Sequence, residues 1–390
     1  MNWRIPLADL NFGEEEKEAV MKVLDSRWLT MGEETQNFER EFARYLGVKH
    51  AVAVANGTAS LHLACLALGL KPGDEVLVPS LTFVATAASI VYAGARPVFV
   101  DIAGETNTNI SVESIEARIT PRTRAIMVMH YGGYPCDMPR ILEIAGRYGL
   151  ALIEDAAHAP GAAIGEKKIG NWSNVASFSF FSNKNLATGE GGMVVTNDDE
   201  IARKVRLQRS HAMTTMTWDR HKGHASSYEV VDLGFNYRID EIRSAIGRIQ
   251  LKKLDGNNTR RGKLTAAYRA AFQKLVPEIE IPFEQYPFSP AYHLLPILLP
   301  AGVNRFAFME GMKAQGIQTS IHYPPIHQFN YYRNRFPVEQ TELPVTESVG
   351  SREVTLPLYA DLDPASVCWI VETTRNILQE IPVERSRSVW

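Results

Sequence analysis

Lys184 stands between an aromatic segment, Ser177-Phe178-Ser179-Phe180-Phe181-Ser182-Asn183, and the glycine cluster Gly189-Glu190-Gly191-Gly192. Such flanks place an amine in a partly apolar site. Desolvation lowers a lysine's pKa, and the neutral amine is the nucleophile that condenses with a carbonyl. An exposed loop lysine beside a buried strand is the plainer reading of the same residues. Asp155 closes the apolar run Ala151-Leu152-Ile153-Glu154 and is followed by Ala156-Ala157-His158. Ligands of open α/β sheets bind at the carboxyl ends of strands, where a carboxylate can hold a proton on a heterocyclic nitrogen and His158 can meet the same ring. A carboxylate capping the next turn is the alternative. Gly57-Thr58-Ala59-Ser60 is a small-residue turn between a strand and a helix. Free N–H groups and the helix dipole favour an anion there, although an ordinary capped helix start has the same composition.

The three signals agree on one cofactor. A phosphate cradle, then an aspartate for a pyridine nitrogen, then a desolvated lysine describe pyridoxal 5′-phosphate (PLP) chemistry.

The elements that must position these residues alternate. Short apolar strands at Ala51–Ala55, Glu75–Val78, Pro97–Val100, Ala125–Met129 and Leu150–Ile153 are separated by helices at Leu61–Leu68, Phe83–Tyr92, Ser111–Ile119 and Arg140–Tyr148. This pattern predicts a mostly parallel sheet covered on both faces. Helices are also expected at Glu14–Leu24, Thr35–Leu46, Asp198–Gln208 and Ile239–Leu254. Prolines cluster from Pro282 to Pro300, and the pattern restarts with a strand at Leu294–Leu299 and helices at Phe306–Gln315 and Ser366–Leu378. The expected division is a large domain over residues 1–255 and a smaller C-terminal one over 256–390, the last residues, Glu384–Trp390, forming an untethered tail.

Composition removes several functions. A formal net charge of -3 gives no global attraction to nucleic acid or to an anionic membrane. No run approaches the apolar length of a membrane span. The three cysteines, Cys65, Cys136 and Cys368, lack metal or disulfide spacing. They fit reduced thiols, and the expectation is a cytoplasmic protein without a metal. His322 and His327 flank a Tyr-Pro-Pro turn, but without carboxylates nearby they make a poor metal pair.

The chain resembles the DegT/DnrJ/EryC1/StrS sugar aminotransferases, fold-type I PLP enzymes. The resemblance rests on Asn56-Gly57-Thr58-Ala59-Ser60, Pro79-Ser80-Leu81-Thr82-Phe83-Val84-Ala85-Thr86, Glu154-Asp155-Ala156-Ala157-His158, Ser177 to Gly192 and Gly234-Phe235-Asn236-Tyr237-Arg238. It implies an α/β fold, with a mostly parallel mixed sheet flanked by helices in the large domain and a smaller C-terminal α/β domain. It implies that Lys184 forms the internal aldimine and shuttles a proton, that Asp155 meets the pyridine nitrogen, that Phe83 stacks on the ring and that His158 contacts it. Ser179, Gly57, Thr58 and Ala59 match phosphate contacts. Asn236 matches an asparagine that reaches the phosphate from the partner subunit, which implies a homodimer. Arg238, Trp28, Thr30, His322 and His327 are the expected substrate-binding set, with structural packing the alternative for Trp28 and for the two histidines.

The implied reaction moves an amino group from L-glutamate to a nucleotide-linked 4-keto-6-deoxy sugar in two half-reactions. Dehydratase relatives carry His at the lysine position, so Lys184 favours transamination. Phe181, where many members have His, is similar to GDP-perosamine synthase and other 4-aminotransferases. A cyclitol or aminoshikimate-type ring ketone as substrate, and a regulatory protein that binds PLP without turnover, are the alternatives.

Overall fold

The computed structural model describes residues 3–214, 227–338 and 343–381. The tail expected over Glu384–Trp390 lies outside them. The strands, in chain order, are β1 (His50–Val54), β2 (Glu75–Pro79), β3 (Arg96–Val100), β4 (Thr123–Met129), β5 (Ala151–Asp155), β6 (Ala163–Ile164), β7 (Lys167–Lys168), β8 (Val175–Ser179), β9 (Gly192–Thr196), β10 (Leu295–Leu298) and β11 (Glu353–Leu356). Seven of them form one sheet in the order β1-β9-β8-β5-β4-β2-β3. Every pairing from β8 to β3 is parallel, and β9 runs antiparallel to both β1 and β8.

Alternation along each strand sends side chains to opposite faces, and both faces are buried. Ile126, Val128, Leu152, Ala176 and Phe178 join one core with Phe38 and Phe42 of the Glu33–Leu46 helix. Ala125, Met127, Ile153 and Val175 join the other, under the helices Gly57–Ala67 and Val84–Tyr92. Glu154 and Asp155 therefore point to opposite sides of the sheet.

A smaller unit follows. β10 and β11 pair antiparallel with Leu295 opposite Leu356, and the helices Arg305–Ala314 and Pro364–Glu380 cover them. Ile5 from the chain start joins this core and bridges to Ile317.

The helix expected over Ile239–Leu254 runs from Glu241 to Leu275, so the expected division at 255/256 falls inside a continuous helix. Leu251 and Leu254 pack in the large core, whereas Leu264, Tyr268 and Phe272 pack in the small one. Gly256, Asn257, Asn258 and Gly262 weaken helix propensity in between. Tertiary contacts override that weakness. A Cβ on Gly262 would lie 2.9 Å from the Tyr292 ring, and Asn258 donates to the Pro160 carbonyl at 2.9 Å. Among the described residues, no helix is long and apolar enough to cross a membrane.

Candidate active site

A cavity of about 390 Å³ opens at the carboxyl ends of β4, β5 and β8. Its walls include Gly57, Thr58, Phe83, Asp155, His158, Ser177, Ser179, Lys184 and His322. The alternating Ser-Phe pattern of β8 explains part of this. Phe178 and Phe180 pack against Phe42 with centroids 5.1 and 5.6 Å away, while Ser177 and Ser179 face the cavity. After β8 the chain turns through Lys184, whose N–H bonds the Phe181 carbonyl at 2.8 Å. Gly189, at φ +84°, and Gly191 let it return as β9; a Cβ on Gly191 would lie 2.5 Å from the Thr188 hydroxyl. The aromatic core holds one side of this loop and the glycines close the other, so the lysine is held at the cavity wall.

Burial pushes the Lys184 amine down to about 8, with the Asp155 charge opposing. That leaves a substantial neutral fraction near neutral pH, as a nucleophilic amine needs. Asp155 is buried at the end of β5. It accepts from the Thr86 hydroxyl at 2.8 Å and the Ala157 N–H at 3.1 Å. Burial outweighs these donors and the Lys184 charge, so its carboxyl is raised above the usual range. A cation or protonated ring nitrogen brought to Asp155 would relieve that cost.

The turn before the Gly57–Ala67 helix is built for close approach. Asn56 caps the helix by accepting the Ala59 N–H at 2.8 Å. Ala59 is thus committed to the cap, and Gly57 and Thr58 line the cavity beside Ser179. A Cβ on Gly57 would lie 2.7 Å from the Ser179 Cβ, so a larger residue would displace this wall. Phe83 stands at the cavity mouth, 52% exposed, with its centroid 5.8 Å from that of Tyr323. An exposed aromatic there has a face free for a planar ring.

His158 bonds the Tyr323 hydroxyl through Nε2 at 2.9 Å, while its buried Nδ1 has no partner. Burial holds this imidazole neutral, well below its usual range. Ser177 Oγ and Asn183 Oδ1 are likewise buried without a hydrogen bond. Buried polar atoms without partners cost about 1–3 kcal/mol each. Three of them around one cavity, beside a raised aspartate and a glycine-lined turn, fit a polar planar cofactor bearing a phosphate.

Of the remaining expected residues, Trp28, Thr30, Asn236, Arg238 and His327 do not line this cavity within the subunit, whereas His322 does. The His322 Nδ1 lies 2.9 Å from the Thr355 hydroxyl. His327 is held elsewhere, Nδ1 against Ser80 at 2.7 Å and Nε2 against Glu347 at 3.1 Å. Each histidine thus has its own partners, and among the described residues no group of three His, Cys, Asp or Glu is placed to hold a metal ion. Trp28 is half-buried against Gly32, where an added Cβ would lie 2.7 Å from the indole nitrogen. Thr30 bridges to Asp240, and Asn236, exposed, bridges to Ser210. Arg238 is partly buried, which lowers its pKa, and the nearby Arg209 charge adds to that.

Sequence reasoning missed Ser177, Asn183, Tyr323 and His293. The alternation of β8 carries a signal for Ser177, since Ser179 shares its face. Tyr323 sits beside the expected His322. His293 has no motif around it; its Nε2 lies 3.5 Å from the Lys184 amine only because the fold brings them together.

The chain matches the family model "DegT/DnrJ/EryC1/StrS aminotransferase family" over residues 11–375. It is 40% identical to the spore coat polysaccharide biosynthesis protein SpsC of Bacillus subtilis over 372 residues, covering 94% of this chain and 95% of that one. Among solved structures, S. venezuelae DesV in complex with a ketimine intermediate is 35% identical, with TM-score 0.88 over 98% of this chain and 99% of that one. Helicobacter pylori PseC, an aminotransferase involved in the biosynthesis of pseudoaminic acid, is 30% identical, with TM-score 0.88 over 96% and 99% of the two chains. The fold, the cavity and these likenesses converge: the chain belongs to the DegT/DnrJ/EryC1/StrS aminotransferase family and is a PLP-dependent transaminase of that family.

Proposed function

We propose that this chain binds PLP in the Lys184 cavity and transfers an amino group from L-glutamate to a nucleotide-linked 4-keto-6-deoxy sugar. The observation that carries the reading is the meeting, on one cavity wall, of a lysine with a depressed pKa and a buried, underpartnered aspartate. PLP supplies an electron sink for breaking and remaking bonds at an amino-bearing carbon.

The chain's own residues then have defined tasks. Asp155 holds a proton on the ring nitrogen. Phe83 covers one ring face, and His158 Nδ1 and the hydroxyl of Ser177 take up polar ring substituents. Gly57 and Thr58 N–H groups and the Ser179 hydroxyl bind the phosphate. Ala59 contributes its place in the helix start, since its N–H serves the Asn56 cap. Lys184 would hold the cofactor through its amine, and, with the amino donor in place, the same amine would be the group positioned to move a proton.

Substrate selection is assigned to His322 on the wall, with Trp28, Thr30, Arg238 and His327, which lie off that wall, as the further expected contacts. Asn236 and Arg238 lie outside their own cavity, which supports a homodimer in which they complete the partner's site. The exposed Val230, Val231 and Leu233, the last 76% exposed, are an apolar surface suited to that contact. SpsC and PseC, by their names, serve polysaccharide and pseudoaminic acid biosynthesis, which supports a sugar acceptor. Three free cysteines suit the reducing cytoplasm.

The test is a spectrum of the purified chain with PLP before and after L-glutamate. A cofactor band that moves with glutamate, is lost in Lys184→Ala, and returns on adding a keto-sugar nucleotide is expected. A band indifferent to glutamate would refute the donor, and return of the band only with a cyclitol ketone would refute the sugar acceptor.

A further inference from the structure

His293 lies against Lys184 and takes no part in the reaction outlined above. It is buried, and its Nε2 is 3.5 Å from the lysine Nζ. What that nitrogen presents to the amine depends on the other side of the ring.

There the hydrogen bonds have one consistent direction. Asn258 donates from Nδ2 to the Pro160 carbonyl at 2.9 Å, a group that only accepts. Its Oδ1 is thereby turned toward Asn185 and accepts the Asn185 Nδ2–H at 2.8 Å. The second N–H of Asn185 goes to the Ala291 carbonyl at 2.7 Å. Both amide hydrogens of Asn185 are spent, so its Oδ1, 2.9 Å from His293 Nδ1, accepts. Reversing either amide would set oxygen against oxygen in a buried site. Nδ1 therefore carries the hydrogen, and Nε2 turns a lone pair to the lysine. Burial and the Lys184 charge both keep this ring neutral. The backbone of His293 is anchored as well, since Arg261 bridges its carbonyl at 3.5 Å to that of Leu358 at 2.8 Å.

We infer that His293 is a positioning residue for Lys184, an obligate acceptor whose tautomer is set by an amide relay through Asn185 and Asn258 to the Pro160 carbonyl. This rests on the reading of Lys184 as the cofactor-binding amine. The other charged or titratable groups on that cavity are Asp155, His158, Glu190, His322 and Tyr323, with Arg261 beside His293, and none of them bonds Nζ directly. By holding one N–H, His293 fixes the direction in which the amine meets an incoming carbonyl. An acceptor also favours the ammonium form, which tempers the pull of desolvation.

The experiment follows PLP capture by the cofactor-free full chain as absorbance growth against pH. Native capture quickens through a midpoint set by loss of the Lys184 proton, near 8. His293→Asn keeps a donor for Asn185 but is too short to reach the amine. Its midpoint should fall by about one pH unit, a tenfold loss of proton affinity. His293→Gln places an amide oxygen near the Nε2 position and should restore most of the difference. Asn258→Ala leaves both Lys184 and His293 in place and should move the midpoint the same way by less, a check that survives if His293→Asn does not fold. An unchanged midpoint in His293→Asn or in Asn258→Ala, or equal shifts in the Asn and Gln variants, overturns the inference while leaving native capture intact. A native chain that captures no PLP overturns the Lys184 reading and this inference together.

Discussion

Glu154 and Asp155 are consecutive, both buried, and point to opposite faces of the same strand. Their chemistry diverges completely. On one face Glu154 accepts from the Gly170 N–H, the Trp172 N–H, the Ser173 hydroxyl and His130 Nε2, at 2.9, 3.0, 2.8 and 3.2 Å. His130 accepts the Cys136 N–H on its other nitrogen, which leaves Nε2 as the donor. Burial raises the Glu154 pKa, but His130 and the other donors outweigh it, and the carboxyl is held below its usual range. On the other face Asp155 has two donors and an open cavity, and burial prevails. Equal burial thus gives opposite shifts, and the count of donors decides the sign. A saturated carboxylate ties loops together. An unsaturated one at a strand end is waiting for a ligand.

The comparison makes ordered predictions. The largest effect is on turnover: Asp155→Asn should lower kcat of the loaded enzyme by about a thousandfold, near 4 kcal/mol, with the chain still folded. Near-native turnover would break the contrast at its functional end. Next, Glu154→Ala should cost about 3–5 kcal/mol of stability, because it strands four donors, the buried His130 and Gly170 among them. Thermal denaturation and denaturant titration measure it, and the folded fraction should still give the native cofactor band.

The two sites should also differ in their pH dependence. The Glu154 pKa is lower folded than unfolded, so its stabilisation is present above the unfolded value of about 4.3 and is lost as pH falls through the folded one. The Asp155 pKa is higher folded than unfolded. Its contribution is full at low pH and is lost as pH rises through the folded value. Asp155→Asn should therefore stabilise the cofactor-free chain near neutral pH by about 1 kcal/mol, with the advantage vanishing below about pH 4. A stabilisation that grows on acidification would reverse the assigned sign. The smallest effects come from single donors. Ser173→Ala should cost about 1 kcal/mol of stability and little activity, whereas Thr86→Val should slow turnover a few-fold at similar stability. Indistinguishable stability and rate profiles for these two variants would erase the distinction between the faces.

Much of this was legible in the residues. The alternation of apolar strands and helices is a local, repeated pattern, and it anticipated the covered sheet and the strand-end position of Asp155. Lys184 was conspicuous because an amine between aromatics and glycines is a rare local composition. Other features had no local signal. The helix through Asn257, Asn258 and Gly262 carries residues that read as breaks, and they are there to admit Tyr292 and to bond Pro160. His327 shares a motif with His322, yet three residues beyond Pro324 the chain turns it onto Ser80 and Glu347.

By itself, the order of residues determined the alternating α/β architecture and the succession of glycine turn, aspartate and lysine, because these depend on neighbours in the chain. Only the tertiary structure decided which polar groups are satisfied. Whether Glu154 meets four donors and Asp155 two, and whether a histidine 109 positions along the chain faces Lys184, follow from how distant segments pack. Proton affinities in a buried site are set by those packed partners, which no local pattern encodes.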